Sequence, residues 1–329
     1  MKQCDACGSV RIFRRVYRAD MTSNPYLFAI RRVVWRVVHL LLFLRVFFGK
    51  HWSGRLTQSV FCHHNLSICE DCGFGKIEPM PSHNDVKLFY NEYYQSTPED
   101  LNISENNIDS SPELINRVDF LLFYCSDKTV CSLLDFGAGL GGLAQQIKFK
   151  RPDWQLFATD VERKVNLLKE MNVFEKVYAE GVLIGRSFDI VAATGVWEHL
   201  LDPSASLSFL WEHVAPGGFL FLEVPNTTQE YHKIPDRMDI PHTLHFTSKS
   251  ARFFIDRLNP APDKVIIAPG GRPWEQEPIN SDGGHLYSHD AVFQSFESYH
   301  AAGERGRDLR IIAKKPDVNM PRKCDAALT

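Results

Sequence analysis

The stretch that most restricts the fold is 132-SLLDFGAGLGGLAQQIKFK-150. Ser132 to Phe136 has the length and apolar content of a buried strand, and Gly142 to Lys150 reads as a helix. Between them Gly137, Gly139, Gly141 and Gly142 crowd into a few positions. Such a density is needed where the backbone turns tightly and a ligand must approach it with no Cβ in the way. A strand that runs into this turn and then into a helix is the opening unit of a largely parallel α/β sheet. The ligand of such a sheet lies at the carboxyl edge of the strands.

Residues 130–315 repeat that alternation. Further strands are expected at 154–160, 176–181, 188–194, 218–226, 264–270 and 309–315, with helices at 161–171, 203–213 and about 291–302. The second strand ends in Asp160, placed to accept both hydroxyls of a ribose. Seven strands, the last following a helix, are one more than the six-stranded dinucleotide fold has. The expected division is a small metal-binding unit at 1–84, a helical linker at 85–128, the α/β domain at 129–316 and a tail at 317–329.

The N-terminal part has a different composition. Residues 1–57 hold eleven lysines and arginines against two acids, whereas the remainder holds 26 against 38, so a head of +9 precedes a body of −12. Such a head suits an anionic surface or ligand. Met1-Lys-Gln-Cys-Asp-Ala-Cys carries no apolar signal core, which points to the cytoplasm. Two knuckles, 4-CDACG-8 and 69-CEDCG-73, bring four thiolates: Cys4, Cys7, Cys69 and Cys72. Four cysteines satisfy tetrahedral zinc completely, which makes the ion structural. A redox dithiol is the other reading of a C-x-x-C pair, although neither pair follows a βαβ pattern. Cys62, His63 and His64 lie nearby, and one of them could replace one of the four ligands, although surplus Cys and His near such a site are usually incidental. Between the knuckles, 25–48 is an apolar helix interrupted by Arg31, Arg32, Arg36 and Arg45, too charged to span a bilayer. It fits an interfacial helix on anionic lipid, and equally a helix in a dimer interface or packed on the main domain.

The glycine loop admits a nicotinamide dinucleotide or S-adenosylmethionine, and Asp160 serves both. Asp135, two residues before Gly137, decides between them. A pyrophosphate would repel it, whereas a cationic methionyl group is attracted to it. The loop after 188-FDIVAAT-194 adds Trp197, Glu198 and His199. With Leu134–Gly141, Asp160, Phe188-Asp189, Glu198-His199-Leu200, Pro216-Gly217-Gly218 and Leu309–Lys315, the chain resembles the class I S-adenosylmethionine-dependent methyltransferases over about 85–315. The resemblance implies a Rossmann-like seven-stranded mixed sheet with an antiparallel last strand. It also implies cofactor contacts from Asp135, Gly137, Gly139, Gly141, Asp160, Val161 and Thr194. The knuckles and 89-FYNEYYQ-95 are similar to the zinc-binding branch that contains deoxysugar C-methyltransferases. In that branch a small zinc domain closes over the cofactor domain and a tyrosine of a Y-x-x-x-Y segment lines the site; Tyr90 and Tyr94 match here, Tyr94 being the expected cofactor contact, with Tyr93 a near neighbour.

The chain departs from that branch at 241-PHTLHF-246, where Pro241 stands in place of the usual acid before His242, and in having only about 75 residues after Ile255. Carbon methylation needs a base strong enough to make a carbanion, and an acid is missing. Oxygen methylation needs alignment and one general base. His242, His245 and His199 are the candidates, with His242 preferred. The loop 270–285, with Arg272 and Trp274, is a further candidate for contact with a sugar or phosphate. The expected acceptor is a sugar, glycoconjugate or other small molecule. An RNA methyltransferase is the rival reading suggested by the basic head, against which Ala192-Ala-Thr-Gly stands where an Asn/Asp-Pro-Pro-Tyr motif is required. The third reading is a non-catalytic module that has kept the fold.

Overall fold

The computed structural model describes residues 2–16, 65–92, 112–125, 131–179, 183, 185–227, 242–273 and 306–317. The apolar segment 25–48, the Cys62–His64 group, Tyr93, Tyr94, Trp274 and the helix expected at 291–302 lie outside the described residues, so those expectations stay as stated.

Apolar runs bounded by turns form the central strands, because a parallel strand is covered on both faces and has no polar side. In chain order β4 is Ser132–Phe136, β5 Gln155–Asp160, β6 Lys176–Ala179, β7 Phe188–Thr194, β8 Val214–Pro225, β10 Lys264–Pro273 and β11 Gly306–Lys314. Their order in the sheet is β10–β11–β8–β7–β4–β5–β6. The pairs β4–β5, β4–β7, β5–β6 and β7–β8 are parallel, while β11 runs antiparallel to both β8 and β10. This is the mixed seven-stranded sheet expected of the fold.

Alternate residues of the central strands feed two cores. Leu134, Val191 and Leu222 face one cluster with Trp197 and Trp211; Leu133, Ile190 and Phe221 face another under α2 (Pro112–Tyr124) and α3 (Gly142–Lys150). Each fully buried leucine or phenylalanine stabilises the fold by about 1.5–3 kcal/mol relative to exposure. Helix α4 (Glu162–Glu170) follows β5, and α5 (Pro203–Glu212) begins at Asp202, whose carboxylate accepts from the Ser204 and Ala205 amides at 2.9 Å. Pro203 at the first helical position loses no hydrogen bond there.

The knuckles sit on a second sheet, β1 (Ile12–Val16), β2 (Asn65–Cys69), β3 (Gly75–Glu78) and the two-residue β9 (Leu244–His245), in that order. Strand β9 comes from the segment after β8, so a piece of the α/β half completes the N-terminal sheet. Helix α6 (Ser248–Ile255) follows it, and Thr247 and Ser250 form a reciprocal capping box. Phe74, beside the second knuckle, meets Phe246 at 5.7 Å and Phe254 at 5.2 Å between ring centroids, and Trp197 stacks on Phe246 at 4.1 Å. Cys4, Ala6, Cys69 and Cys72 therefore belong to the same core as the sheet strands. Polar links add to this: Thr247 Oγ1 donates to the Cys72 carbonyl at 2.5 Å and Lys249 Nζ to that of Asp71 at 2.8 Å. Among the described residues no helix is long and apolar enough to cross a membrane.

Candidate cofactor cleft and acceptor site

At the carboxyl edge of β4 the chain turns through Gly137, Gly139 and Gly141, at φ of 72°, 61° and 74°. The turn is tied to the next strand by the Gly137 and Ala138 amides, which donate to the Thr159 carbonyl at 2.8 and 3.2 Å. A Cβ on Gly137 would lie 2.5 Å from Cγ2 of Val196, whereas one on Gly139 would meet nothing within 4 Å among the described residues. Gly137 is thus needed for close packing, and Gly139 forms the open wall of a cradle. Asp160, at the end of β5, accepts from the Gly139 amide at 2.6 Å and the Val161 amide at 2.7 Å. Burial raises its carboxyl above the usual range, against the pull of Lys164 and of those amides.

Asp135 is 1% exposed, and its Oδ2 has no hydrogen-bond partner among the described residues. Burial pushes its carboxyl up to about 7, the negative charge of Asp160 adds to this, and Arg117 opposes it. An open backbone cradle flanked by a buried carboxylate with an uncommitted oxygen fits S-adenosylmethionine. With that cofactor bound, the glycines would leave room for the adenosyl part, Asp160 would be placed for the ribose hydroxyls, and Asp135 would meet the positive charge. Thr194 ends β7 in register with Glu223 of β8.

A second group of side chains adjoins this cleft. The turn after β7 is a short 3-10 helix, Trp197–His199, anchored by the Trp197 indole donating to the Pro203 carbonyl at 3.0 Å. Thr243 docks onto it: its amide and hydroxyl donate to the Glu198 carbonyl at 2.8 and 3.1 Å, and the hydroxyl also reaches the Leu200 carbonyl at 2.8 Å. This docking brings His242 beside His199, with ring centroids 4.8 Å apart. The Tyr90 ring of α1 (His83–Glu92) meets His199 edge-on at 5.9 Å, and His245 lies 6.3 Å from His242. Burial lowers His242 to about 4, which leaves the imidazole uncharged at neutral pH. Glu198 is 2% exposed, and burial pushes it up to about 8.

All three sequence-predicted histidines therefore gather at one place, with Tyr90 beside them. Glu198 and Thr243 were missing from the sequence-level candidates. Glu198 was legible in the Glu-His-Leu run, but no local pattern identifies Thr243, 45 residues away. Another unforeseen group is the buried ion cluster at the edge of β8. Glu223 receives Arg310 Nε at 2.6 Å and is also paired with Arg117 of α2. Burial raises the Glu223 carboxyl, and the two guanidinium charges outweigh it and hold it at about 2.

The cysteines converge as their spacing suggests. The Cys4–Cys72 and Cys7–Cys69 sulfur pairs are each 3.5 Å apart, and all four sulfurs lie within 4.8 Å of one another. Zinc–thiolate bonds of about 2.3 Å in a tetrahedron put sulfurs about 3.8 Å apart, so the set fits that ion. Each knuckle closes alike, with the Gly8 amide on the Cys4 carbonyl and the Gly73 amide on the Cys69 carbonyl, both at 2.9 Å. Cys125 and Cys131 are ordinary buried core thiols.

This strand order, with a glycine turn after β4 and an acid ending β5, is that of the Rossmann-like methyltransferase fold. Residues 108–263 match the family model described as a methyltransferase domain. Over 128 residues the chain is 32% identical to ribosomal RNA small subunit methyltransferase C of Haemophilus influenzae (strain PittEE), covering 36% of this chain and 39% of that protein. The chain thus spans about two fifths of the length of the curated relatives it matches. Among solved structures, a SAM-dependent methyltransferase from Thermotoga maritima aligns over 62% of this chain and 87% of its own at 14% identity and a TM-score of 0.41. The plantazolicin methyltransferase BpumL, in complex with a desmethyl plantazolicin analogue and SAH, aligns over 67% and 92% at 14% identity and a TM-score of 0.43.

Proposed function

We propose that the protein transfers a methyl group from S-adenosylmethionine to a hydroxyl, or to a carbon, of a sugar, glycoconjugate or other small acceptor in the cytoplasm. The observation that carries this reading is the contact between the two halves of the site. Val196 of the Glu-His-Leu turn packs against Gly137 of the cofactor loop, so the Glu198–His199–His242 group borders the cradle. Bound S-adenosylmethionine supplies a methyl on a sulfonium centre. Asp135 and Asp160 orient that cofactor by charge and hydrogen bonding, and the glycines admit it. Tyr90 and the buried wall around Trp197 limit water near the acceptor. Proton removal falls to the imidazole group, and His242, uncharged at neutral pH, is the residue the hydroxyl reading assigns to it. Val161, Thr194 and Tyr94 complete the proposed cofactor contacts. Zn2+ on Cys4, Cys7, Cys69 and Cys72 is proposed as structural. Segment 25–48 is proposed to rest on anionic lipid or on a protein surface.

Methylation of RNA is the second reading, favoured by the ribosomal RNA methyltransferase relatives. The run from β7, Ala192-Ala193-Thr194-Gly195-Val196, lacks the Pro-Pro-aromatic signature of base methylation, which supports the small acceptor. Incubation of the purified chain with methyl-labelled donor and a lysate, followed by fractionation, separates the readings. Label is expected in the small-molecule or glycoconjugate fraction. Label confined to RNA would overturn the acceptor class, and cofactor binding without any labelled product would leave a non-catalytic module.

A further inference from the structure

Glu198, His199 and His242 offer one carboxylate oxygen and two imidazole nitrogens within 4.8 Å of one another. Oε1 of Glu198 is 3.8 Å from Nε2 of His199, inside the span of about 4.2 Å that two ligands at about 2.1 Å from one ion can bridge. Two features separate this group from three polar residues that merely meet in a core. Glu198 is 2% exposed, and its Oε2 has no hydrogen-bond partner among the described residues. A carboxylate placed there is costly unless a positive charge meets it. The three ligands also come from two segments that Thr243 clamps together, so the group is held by the fold.

From this geometry we infer that Glu198, His199 and His242 form a second metal site that holds a divalent cation of the Mn2+, Fe2+ or Zn2+ class and presents it to the acceptor hydroxyl. The inference rests on the methyltransferase reading of the adjoining cleft and deepens it. Three protein ligands leave coordination positions open, as a site that binds substrate needs and the four-thiolate site lacks. The acceptor oxygen binds the cation, which lowers the pKa of its hydroxyl, and the proton passes to water. The oxygen then forms its bond to the methyl carbon as the sulfur–methyl bond breaks, leaving a neutral thioether. His242 acts in this scheme as a ligand in place of a base. An acceptor with two adjacent oxygens, a vicinal diol or a hydroxy-carbonyl, suits two open positions, so the site favours oxygen over carbon or nitrogen acceptors.

Mn2+ is the probe, because thiolates discriminate against it while an N/O site accepts it. The full chain with its zinc retained is titrated with Mn2+ and followed by electron paramagnetic resonance. One Mn2+ per chain is expected, with electron spin-echo modulation from two imidazole nitrogens in the unmodified protein. Glu198→Gln is expected to weaken binding by about 100-fold while zinc content stays the same. The spin-echo spectrum needs no variant and so survives a folding failure of Glu198→Gln. Absence of Mn2+ binding at about 1 mM, or bound Mn2+ with no nitrogen coupling, would overturn the site, as would equal affinity in Glu198→Gln. S-adenosylmethionine binding is measured on the same sample. Cofactor binding without Mn2+ removes only the metal site, and Mn2+ binding without the cofactor removes only the methyltransferase reading.

Discussion

Asp135 reaches its position at the end of β4 through an apolar strand that buries it, and the energetic consequence is a carboxyl lifted to about 7. An acid raised on folding stabilises the cofactor-free protein below the ordinary aspartate range near pH 4, and that contribution is lost as pH rises to about 7. Asp135→Asn is therefore expected to raise the melting temperature of the free protein at pH 8 by a few degrees, read by calorimetry, and to leave it unchanged at pH 4. A bound sulfonium favours the ionised carboxylate, so binding below pH 7 releases a proton. S-adenosylmethionine affinity should rise up to ~10-fold per pH unit from pH 5 to 7 and level off above, with proton release visible in buffers of different ionisation enthalpy. A flat affinity profile would detach Asp135 from the cofactor. Gly139 belongs to the same scale. Gly139→Val places a branched side chain at φ 61° on the cradle's open wall, and it should abolish cofactor binding while costing about 1–2 kcal/mol of stability.

At the scale of elements, the proposed acceptor site is two loops fastened by one threonine. Thr243→Val keeps the shape and removes the hydroxyl that donates to the Glu198 and Leu200 carbonyls, at an expected cost of about 1–2 kcal/mol in urea unfolding. Because His242 precedes it, methyl transfer should fall by about tenfold or more while S-adenosylmethionine affinity holds, since no cradle residue moves. Much of this level could be read from the chain. The seven strands announced themselves as apolar runs, and the two knuckles as identical C-x-x-C-G signatures. Strand β8 nevertheless starts at Val214 in place of the expected Gly218, because pairing with β7 continues across the Pro216-Gly217 turn through a register irregularity. Strand β9 and helix α6 leave little trace in the sequence. Two residues carry no periodicity, and the Thr247–Ser250 cap lacks the acid that usually marks a helix start. The cluster of Glu223, Arg117 and Arg310 was equally illegible, since its partners are 106 and 87 residues from Glu223 and no spacing rule pairs them.

At the scale of the molecule, the knuckle sheet and the α/β sheet share one core, with β9 and Phe246 crossing between them. Removing the proposed zinc by a strong chelator, or Cys72→Ser, should therefore loosen more than the N-terminal sheet. Lost hydrogen-exchange protection is expected at β9 and around Trp197, together with weaker acceptor turnover. Protection lost only at 2–16 and 65–78 would show the two parts to be independent. The ion cluster ties α2 to β8 and β11 with Arg310 1% exposed, and Glu223→Gln leaves two guanidinium groups short of their charge partner. A loss of about 3–5 kcal/mol in urea unfolding is expected. The account's central claim, that the glycine loop of this chain holds S-adenosylmethionine, is tested most directly by calorimetric titration of the folded, zinc-loaded protein with that compound at pH 8. The predicted result is one molecule per chain, abolished in Gly139→Val. An absence of binding to the folded protein, or unchanged binding in that variant, would contradict it.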